Sequence, residues 1–412
     1  MGTSPHENSS AAVTGSLGAS ETHVPGAGAS TNAALKTEVR SDAKPGANPA
    51  VAADALSPDT LGIMAAEPTP GTTSVEAAKL RVKWYRCKVS REELSKLNQR
   101  SDLLGFLQTV GFLGLLAMTA GLAIYSWRHW PWYVTAGLVV LNGHLWHFLV
   151  NGFHELIHDS VFKTKWLNQI FLRVVAFLGW HNHHWFWASH TEHHKYTLHP
   201  PDDLEVTVPQ HYQIRSLLLY GIVNVKQPYE QVSEYLKTAL WQFEKKDRWT
   251  NQLFPESEPE RRRDYVRWSQ IVLIGHLSIA AVSLALGWWI VPLVITFPKI
   301  FGNWLHILCN SSQHAGLPDN VADFRLCCRT LYLNPVLQFV YWHMNYHTEH
   351  HMFAAVPCYR LGRLHRIIKA DMPECPRGLW ATWHQIFEIQ RKQEADSGYR
   401  YYAPLPEKVL VG

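Results

Sequence analysis

Residues 104–126 read LGFLQTVGFLGLLAMTAGLAIYS, with no charge between Leu104 and Tyr125. A run of about 20 apolar residues is long enough for a helix to cross a ~30 Å hydrocarbon core. Three more such runs follow, at 132–150, 269–289 and 291–309. The first pair is joined by Arg128-His-Trp-Pro131 and the second near Gly287 to Pro292, so each pair reads as a tight helical hairpin. Pro292, Pro298 and Asn303 make 291–309 the least regular of the four. Lys and Arg collect before the first run, in the 160–267 segment (notably Arg261-Arg262-Arg263) and after the fourth run. The two short connections carry only Arg128. The positive-inside rule then puts the N-terminus, the central segment and the C-terminal region in the cytosol. The expected fold is an all-α membrane protein, with four transmembrane helices in two hairpins under a cytosolic helical cap. Two weaker apolar stretches, 166–187 and 214–225, read as helices lying on the bilayer surface.

Residues 1–76 are rich in Ala, Ser, Thr, Gly and Pro and are expected to be a disordered tail, leaving 77–412 as the membrane domain. Past that tail, Lys79-Leu-Arg-Val-Lys83-Trp-Tyr-Arg86 is basic and aromatic, and Ser90-Arg-Glu-Glu93 has the capping-box pattern of a helix start. The net charge of +4 argues against a nucleic-acid partner. Six cysteines without a CxxC pair read as reduced thiols, and no secretory leader is expected from the N-terminal residues.

Against this background 24 histidines stand out. Eight fall in three clusters: His154-Glu-Leu-Ile-His158, His190-Thr-Glu-His193-His194 and His347-Thr-Glu-His350-His351. Residues three and four apart share a helix face, so each cluster is expected to aim its rings at one place. If the second span continues, His147, Asn151, His154 and His158 form one stripe. At the end of the fourth span, Asn310-Ser-Ser-Gln-His314 repeats the i, i+4 spacing. Spacing leaves open whether His314 is a ninth ligand or a hydrogen-bonded helix-end residue. Neutral imidazole suits iron, zinc, copper and nickel. Structural and catalytic zinc sites use three or four protein ligands, so this many imidazoles divides more naturally over two ions. Two redox metals at a membrane surface suggest oxygen activation. Iron fits best, because taking hydrogen from an unactivated methylene needs a strong oxidant.

The clusters resemble those of the integral-membrane fatty-acid desaturase and hydroxylase superfamily. That family carries HxxxH or HxxxxH, then HxxHH twice, with four interleaved spans. The resemblance covers about residues 100–370. It is closest in Trp342-His-Met-Asn-Tyr-His347-Thr-Glu-His350-His351-Met-Phe, Phe162-Lys-Thr-Lys-Trp-Leu-Asn168 and His190-Thr-Glu-His-His-Lys-Tyr-Thr197. It implies two iron ions held by His154, His158, His190, His193, His194, His314, His347, His350 and His351. Asn310 would make a water-mediated contact. It further implies O2 as co-substrate and a lipid or acyl-chain substrate. The long Ala/Ser/Pro tail and the lack of a leader suggest an endoplasmic-reticulum membrane. The chain has no HPGG signature of a fused cytochrome b5 domain, so electrons would come from a separate cytochrome b5 or ferredoxin. Fatty acyl desaturation leads; hydroxylation or another oxidation of a lipid-like metabolite is the alternative.

Glu192 and Glu349 recur at the same place in two clusters and, with Glu155 and Asp159, read as carboxylates that hold the far N–H of a ligand histidine. His144, His147, His276 and His306 lie within spans and are expected to face protein or a cavity. His181, His183 and His184, with Trp185, Phe186 and Trp187, read as an interfacial belt. Asp202 and Asp203 follow Pro200-Pro201 and read as a turn; His343 and His365 read as structural. Two other functions compete. His154-Glu155-Leu-Ile-His158 also fits the HExxH zinc-protease signature, which would leave the other clusters without a role. A metal transporter would carry its ligands near mid-membrane, whereas these gather at one edge.

Overall fold

A computed structural model describes residues 82–206, 221–244 and 247–407. The expected tail at 1–76 and most of the apolar stretch 214–225 lie outside the described residues. Regular structure among the described residues is helical, with only isolated β-bridges besides.

Helix α1 (Arg91–Leu97) starts at Ser90, whose hydroxyl accepts the Glu93 N–H. Helix α2 (Asp102–His129) is capped in the same way by Ser101. At 1.5 Å per residue α2 is about 42 Å long, more than a hydrocarbon core. Helix α3 (Trp132–His147) returns antiparallel to it. Near Phe148 the ladder loosens and α4 (Leu149–Ile157) continues, so one apolar rod runs from Trp132 to Ile157. Helices α5 (Lys165–Leu178) and α6 (His183–Tyr196) follow, then α7 (Lys226–Ala239) and α8 (Arg248–Leu253). The third long helix, α9 (Pro259–Ala285), begins ten residues before its apolar run because Pro259 sits at its first turn. These three rods are long and apolar enough to cross a membrane. Leu103, Leu107 and Met118 on α2, and Ile271, Ile274 and Val282 on α9, are exposed, as lipid-facing residues are. Trp130, Trp132, Trp288 and Trp289 are exposed at the two short connections, the position of an interfacial aromatic belt.

The fourth apolar stretch is not one helix. It runs as a π-turn (Pro292–Thr296), a 3-10 turn (Pro298–Ile300) and α10 (Trp304–Asn310). Pro292 and Pro298 remove ladder donors, and Gly302 at φ 75° takes a left-handed step. The carbonyls freed by the break find partners inside the protein. Asn142 Nδ2 donates to Val294 O at 2.9 Å, and Trp180 Nε1 donates to Thr296 O at 2.9 Å. Such satisfaction is what broken backbone buried away from water requires. Beyond α10 come α11 (Pro335–Val340), α12 (His347–Met352), α13 (Cys358–Ile368) and α14 (Gly378–Ala395). Trp342, fully buried, packs under Gly152 of α4 and helps set α4 beside α12.

The close approach of α3 to the broken segment depends on Gly143. A Cβ there would lie 2.5 Å from Phe301 O and 2.7 Å from Pro298 O, both main chain. Gly143→Ala is expected to cost about 1–3 kcal/mol through overpacking, seen as a lower melting temperature in detergent. Gly137→Ala, on the same helix with nothing within 4 Å, should leave it unchanged or raised. Equal losses in both variants would contradict this packing.

Candidate metal centre

Four elements converge. Helix α4 and its end bring His154 and His158; α6 brings His190, His193 and His194; α12 brings His347, His350 and His351. His314 follows the 3-10 turn Ser311–Gln313 after α10. The rings form two groups. One is His154, His158, His190, His194 and His350; the other is His193, His314, His347 and His351. Within each group the donor atoms lie within 4.8 Å of one another.

The sequence suggested that each cluster aims at one place, and for the two HTEHH pentapeptides this is not so. On a helix, i and i+4 differ by about 40° while i+3 is rotated about 60° the other way. His190 and His194 therefore join the first group and His193 the second. On α12 the pairing reverses, with His347 and His351 in the second group and His350 in the first. Each pentapeptide thus spans both groups, which ties the two together.

The nitrogens approach closely. His190 and His194 Nε2 are 2.9 Å apart, and His194 and His350 Nε2 are 3.2 Å apart. In the second group His347 Nε2 lies 2.9 Å from His314 Nε2 and 3.1 Å from His351 Nε2. Several protons can be assigned by their partners. His314 Nδ1 faces the Cys327 carbonyl at 2.8 Å, and a carbonyl only accepts, so the proton is on Nδ1 and Nε2 carries a lone pair. Thr197 gives its hydroxyl hydrogen to His193 O, so His351 Nδ1, 3.2 Å away, donates to Thr197 Oγ1. Its Nε2 is again a lone pair. A proton on His347 Nε2 would satisfy one of these two neighbours and leave the other facing it. His154 and His158 Nε2 are buried without any hydrogen-bond partner. A metal cation fits this donor set. Two nitrogens bound at ~2.1 Å and 90° apart are about 3.0 Å from each other, which is the spacing seen.

Charge state agrees. Burial, reinforced by neighbouring imidazoles, holds His158, His190, His194, His347, His350 and His351 well below the usual imidazole range. Burial and then His193 push His314 down to about 3. Neutral rings are the ligand form. His193 differs: burial disfavours its charged form, but Asp203 outweighs burial and raises its pKa.

Carboxylates grip the far side of several rings. Glu205 accepts from His190 Nδ1 at 2.8 Å, and Asp203 from His193 Nδ1 at 2.8 Å. Glu155 contacts His154 Nδ1 at 3.1 Å and lies 3.4 Å from His350 Nδ1. Glu155 is fully buried in this role, which does not suit the free general base of an HExxH protease. Sequence reasoning passed over Glu205 and read Asp203 as a turn residue. Asp203 does make that turn, accepting the Leu198 and Glu205 N–H groups, and the turn is what delivers both carboxylates to α6. Glu192 and Glu349, expected to hold ligand rings, are engaged elsewhere. Glu192 pairs with Lys195 at 2.9 Å, and Glu349 lies between Thr330 and His365. Asn310 Oδ1 accepts from Asn151 Nδ2 at 3.4 Å, which links α10 to α4. Phe186, read as a membrane anchor, instead stacks on His190 at 4.8 Å. His144, His147, His181, His183, His184, His276, His306, His343 and His365 fall in neither group.

A family model described as "Fatty acid desaturase" matches residues 129–384, a span that contains all nine grouped histidines. The chain belongs to the fatty acid desaturase family. Membership makes this desaturase-family protein an oxidoreductase acting on lipid chains, of desaturase or hydroxylase type. The family is iron-dependent, and the two histidine groups are able to bind metal. With three long apolar rods, the chain is an integral membrane protein. Comparison with curated proteins gives no match.

Asp203→Asn keeps the side-chain shape but offers one acceptor oxygen where Asp203 uses two, so it weakens the grip on His193 and on the turn that presents it. Loss of such a partner typically costs 10–100-fold in metal affinity. The variant should lose metal to a chelator that leaves the wild-type protein loaded, as measured by metal analysis after dialysis. Equal retention would contradict the role given to Asp203.

Proposed function

We propose that this protein is a membrane di-iron oxidase that uses O2 to oxidise an unactivated C–H unit of a lipid chain, first of all as a fatty acyl desaturase. The observation that carries this reading is the pair of adjoining all-imidazole groups, with lone pairs converging at about the spacing expected of metal-bound nitrogens. Five histidines would hold one iron and four the other, with Asn310 contributing through a water. Four to five neutral nitrogens leave room on each ion for small ligands. Bound there, the irons would supply the redox equivalents for O2 activation.

The chain's own residues do the rest. Glu205, Asp203, Thr197 and the Cys327 carbonyl hold protons at Nδ1, so that Nε2 stays available. Phe153 and Phe186 pack around His154 and His190 and keep water from that side. Four crossings fit the chain best, the fourth being the broken stretch 291–309 stitched by Asn142 and Trp180. The distribution of Lys and Arg then turns the histidine groups to the cytosol, and an endoplasmic-reticulum membrane is the favoured site. Electrons would come from a separate cytochrome b5 or ferredoxin. Hydroxylation of a lipid-like metabolite is the second reading, since the same centre serves both outcomes.

The test is mass spectrometry of lipid and metabolite extracts from cells expressing the protein or His350→Ala. A product lacking two hydrogens, absent from the variant, is expected. A product that gains one oxygen would replace desaturation by hydroxylation. No difference, with both proteins folded, iron-loaded and supplied with a reductase, would contradict lipid oxidation.

A further inference from the structure

The basic, aromatic segment Lys83-Trp84-Tyr85-Arg86 has no part in the chemistry above, yet it contacts residues that adjoin both histidine groups. The Trp84 indole N–H donates to the Lys195 carbonyl at 2.9 Å, and Lys195 directly follows His194 of the first group. The Trp84 ring stacks on Phe324, with centroids 4.1 Å apart and planes at 10°. Phe324, buried, lies 5.4 Å from the ring of His351 in the second group. One half-buried side chain therefore connects the surface to a neighbour of one group and, through a single ring, to a member of the other.

The surroundings are cationic. Lys83, Arg86, Lys88 and Arg91 are exposed. The segment continues into α1, which lies against α13: Arg363 pairs with Glu93 at 3.2 Å, and Arg360 donates to Lys96 O at 3.1 Å. The outer face of α13 and the turn after it add exposed Arg366 and Lys369. The inner face of α13 packs on α12, which carries three of the grouped histidines.

The geometry points to a docking surface for an acidic one-electron carrier protein, with Trp84 as the place where electrons enter. This rests on the oxidase reading and supplies what that reaction lacks. Desaturation balances as R–CH2–CH2–R + O2 + 2 e− + 2 H+ → R–CH=CH–R + 2 H2O. The substrate's CH2–CH2 unit gives up two of the four electrons that O2 needs. The other two come from two encounters with the reduced carrier, which is oxidised by one electron each time; the protons come from solvent. Hydroxylation needs the same two external electrons. Complementary charge raises the encounter rate of such a carrier. An anionic bilayer would also meet these cations, but it has no use for the ring contacts from Trp84 to His351.

The test uses the full-length, iron-loaded protein in nanodiscs of neutral lipid. The probes are a reduced acidic [2Fe–2S] ferredoxin and the soluble domain of cytochrome b5, with dithionite as a small reductant. Lys83→Glu/Lys88→Glu/Arg91→Glu should slow oxidation of the better carrier by about tenfold or more at low salt and remove its salt dependence. Dithionite should reduce this variant and the wild type alike. Arg261→Glu/Arg263→Glu, a reversal elsewhere on the chain, should keep the wild-type carrier rate. Trp84→Phe should keep carrier affinity and slow electron transfer. Unchanged carrier rates in the triple variant would overturn the proposal, and so would an equal loss in the Arg261/Arg263 control. If the triple variant loses only binding to phosphatidylserine vesicles, the surface belongs to the membrane and the proposal fails. A wild-type rate in Trp84→Phe would remove Trp84 as the entry point. A wild-type chain that takes up no iron, or whose iron dithionite cannot reduce, would instead sink the oxidase reading, and the docking proposal with it.

Discussion

Imidazole lone pairs that face each other across about 3 Å in a buried site repel unless a cation lies between them, and the rest of this structure is arranged around that constraint. His314 and His351 both present Nε2 to His347, and neither has a proton to give there. The far nitrogens are held by groups from separate parts of the chain: Glu155 on α4, Asp203 and Glu205 after α6, and the Cys327 carbonyl beyond α10. Each grip fixes a ring and also fixes an element. The two HTEHH helices are locked further, because each contributes to both groups. A metal pair would thus join four segments of the chain.

The long helices serve as a platform for this centre. The rod from Trp132 to Ile157 carries His154 at its end, so the first group is positioned by a helix whose other end lies beside the Trp-rich connection. The broken segment is equally deliberate in effect. By ending a continuous helix at Pro292 and Pro298, the chain turns α10 so that Asn310 meets Asn151 and His314 reaches the second group. Asn142 and Trp180 offset the cost of that break by taking its carbonyls.

Much of this was legible from residues alone, for physical reasons. Apolar runs report on lipid-facing length, and the three long rods follow from them. Histidines at i, i+3 and i+4 report on a shared helix surface, and all nine candidates do come together in space. What spacing does not encode is which of two neighbouring targets a ring meets; the 100° step between residues sends His193 and His350 across to the other group. The carboxylate partners were harder to find. Glu192 and Glu349 occupy matching letters of a repeated pentapeptide, but α6 turns Glu192 to Lys195, whereas α12 buries Glu349 against Thr330 and His365. The residues that grip rings, Asp203 and Glu205, come from an irregular turn with no periodicity to announce them. Likewise hydropathy marks 291–309 as apolar, and only Pro292, Pro298 and Asn303 hint that it is not one helix.

Metal analysis of the purified full-length chain, combined with Mössbauer spectroscopy, tests the two-ion centre most directly. Two irons per chain, in two distinguishable nitrogen-rich environments, are expected from the five-and-four division of the histidines. A single zinc per chain, or one iron with a single environment, would contradict it.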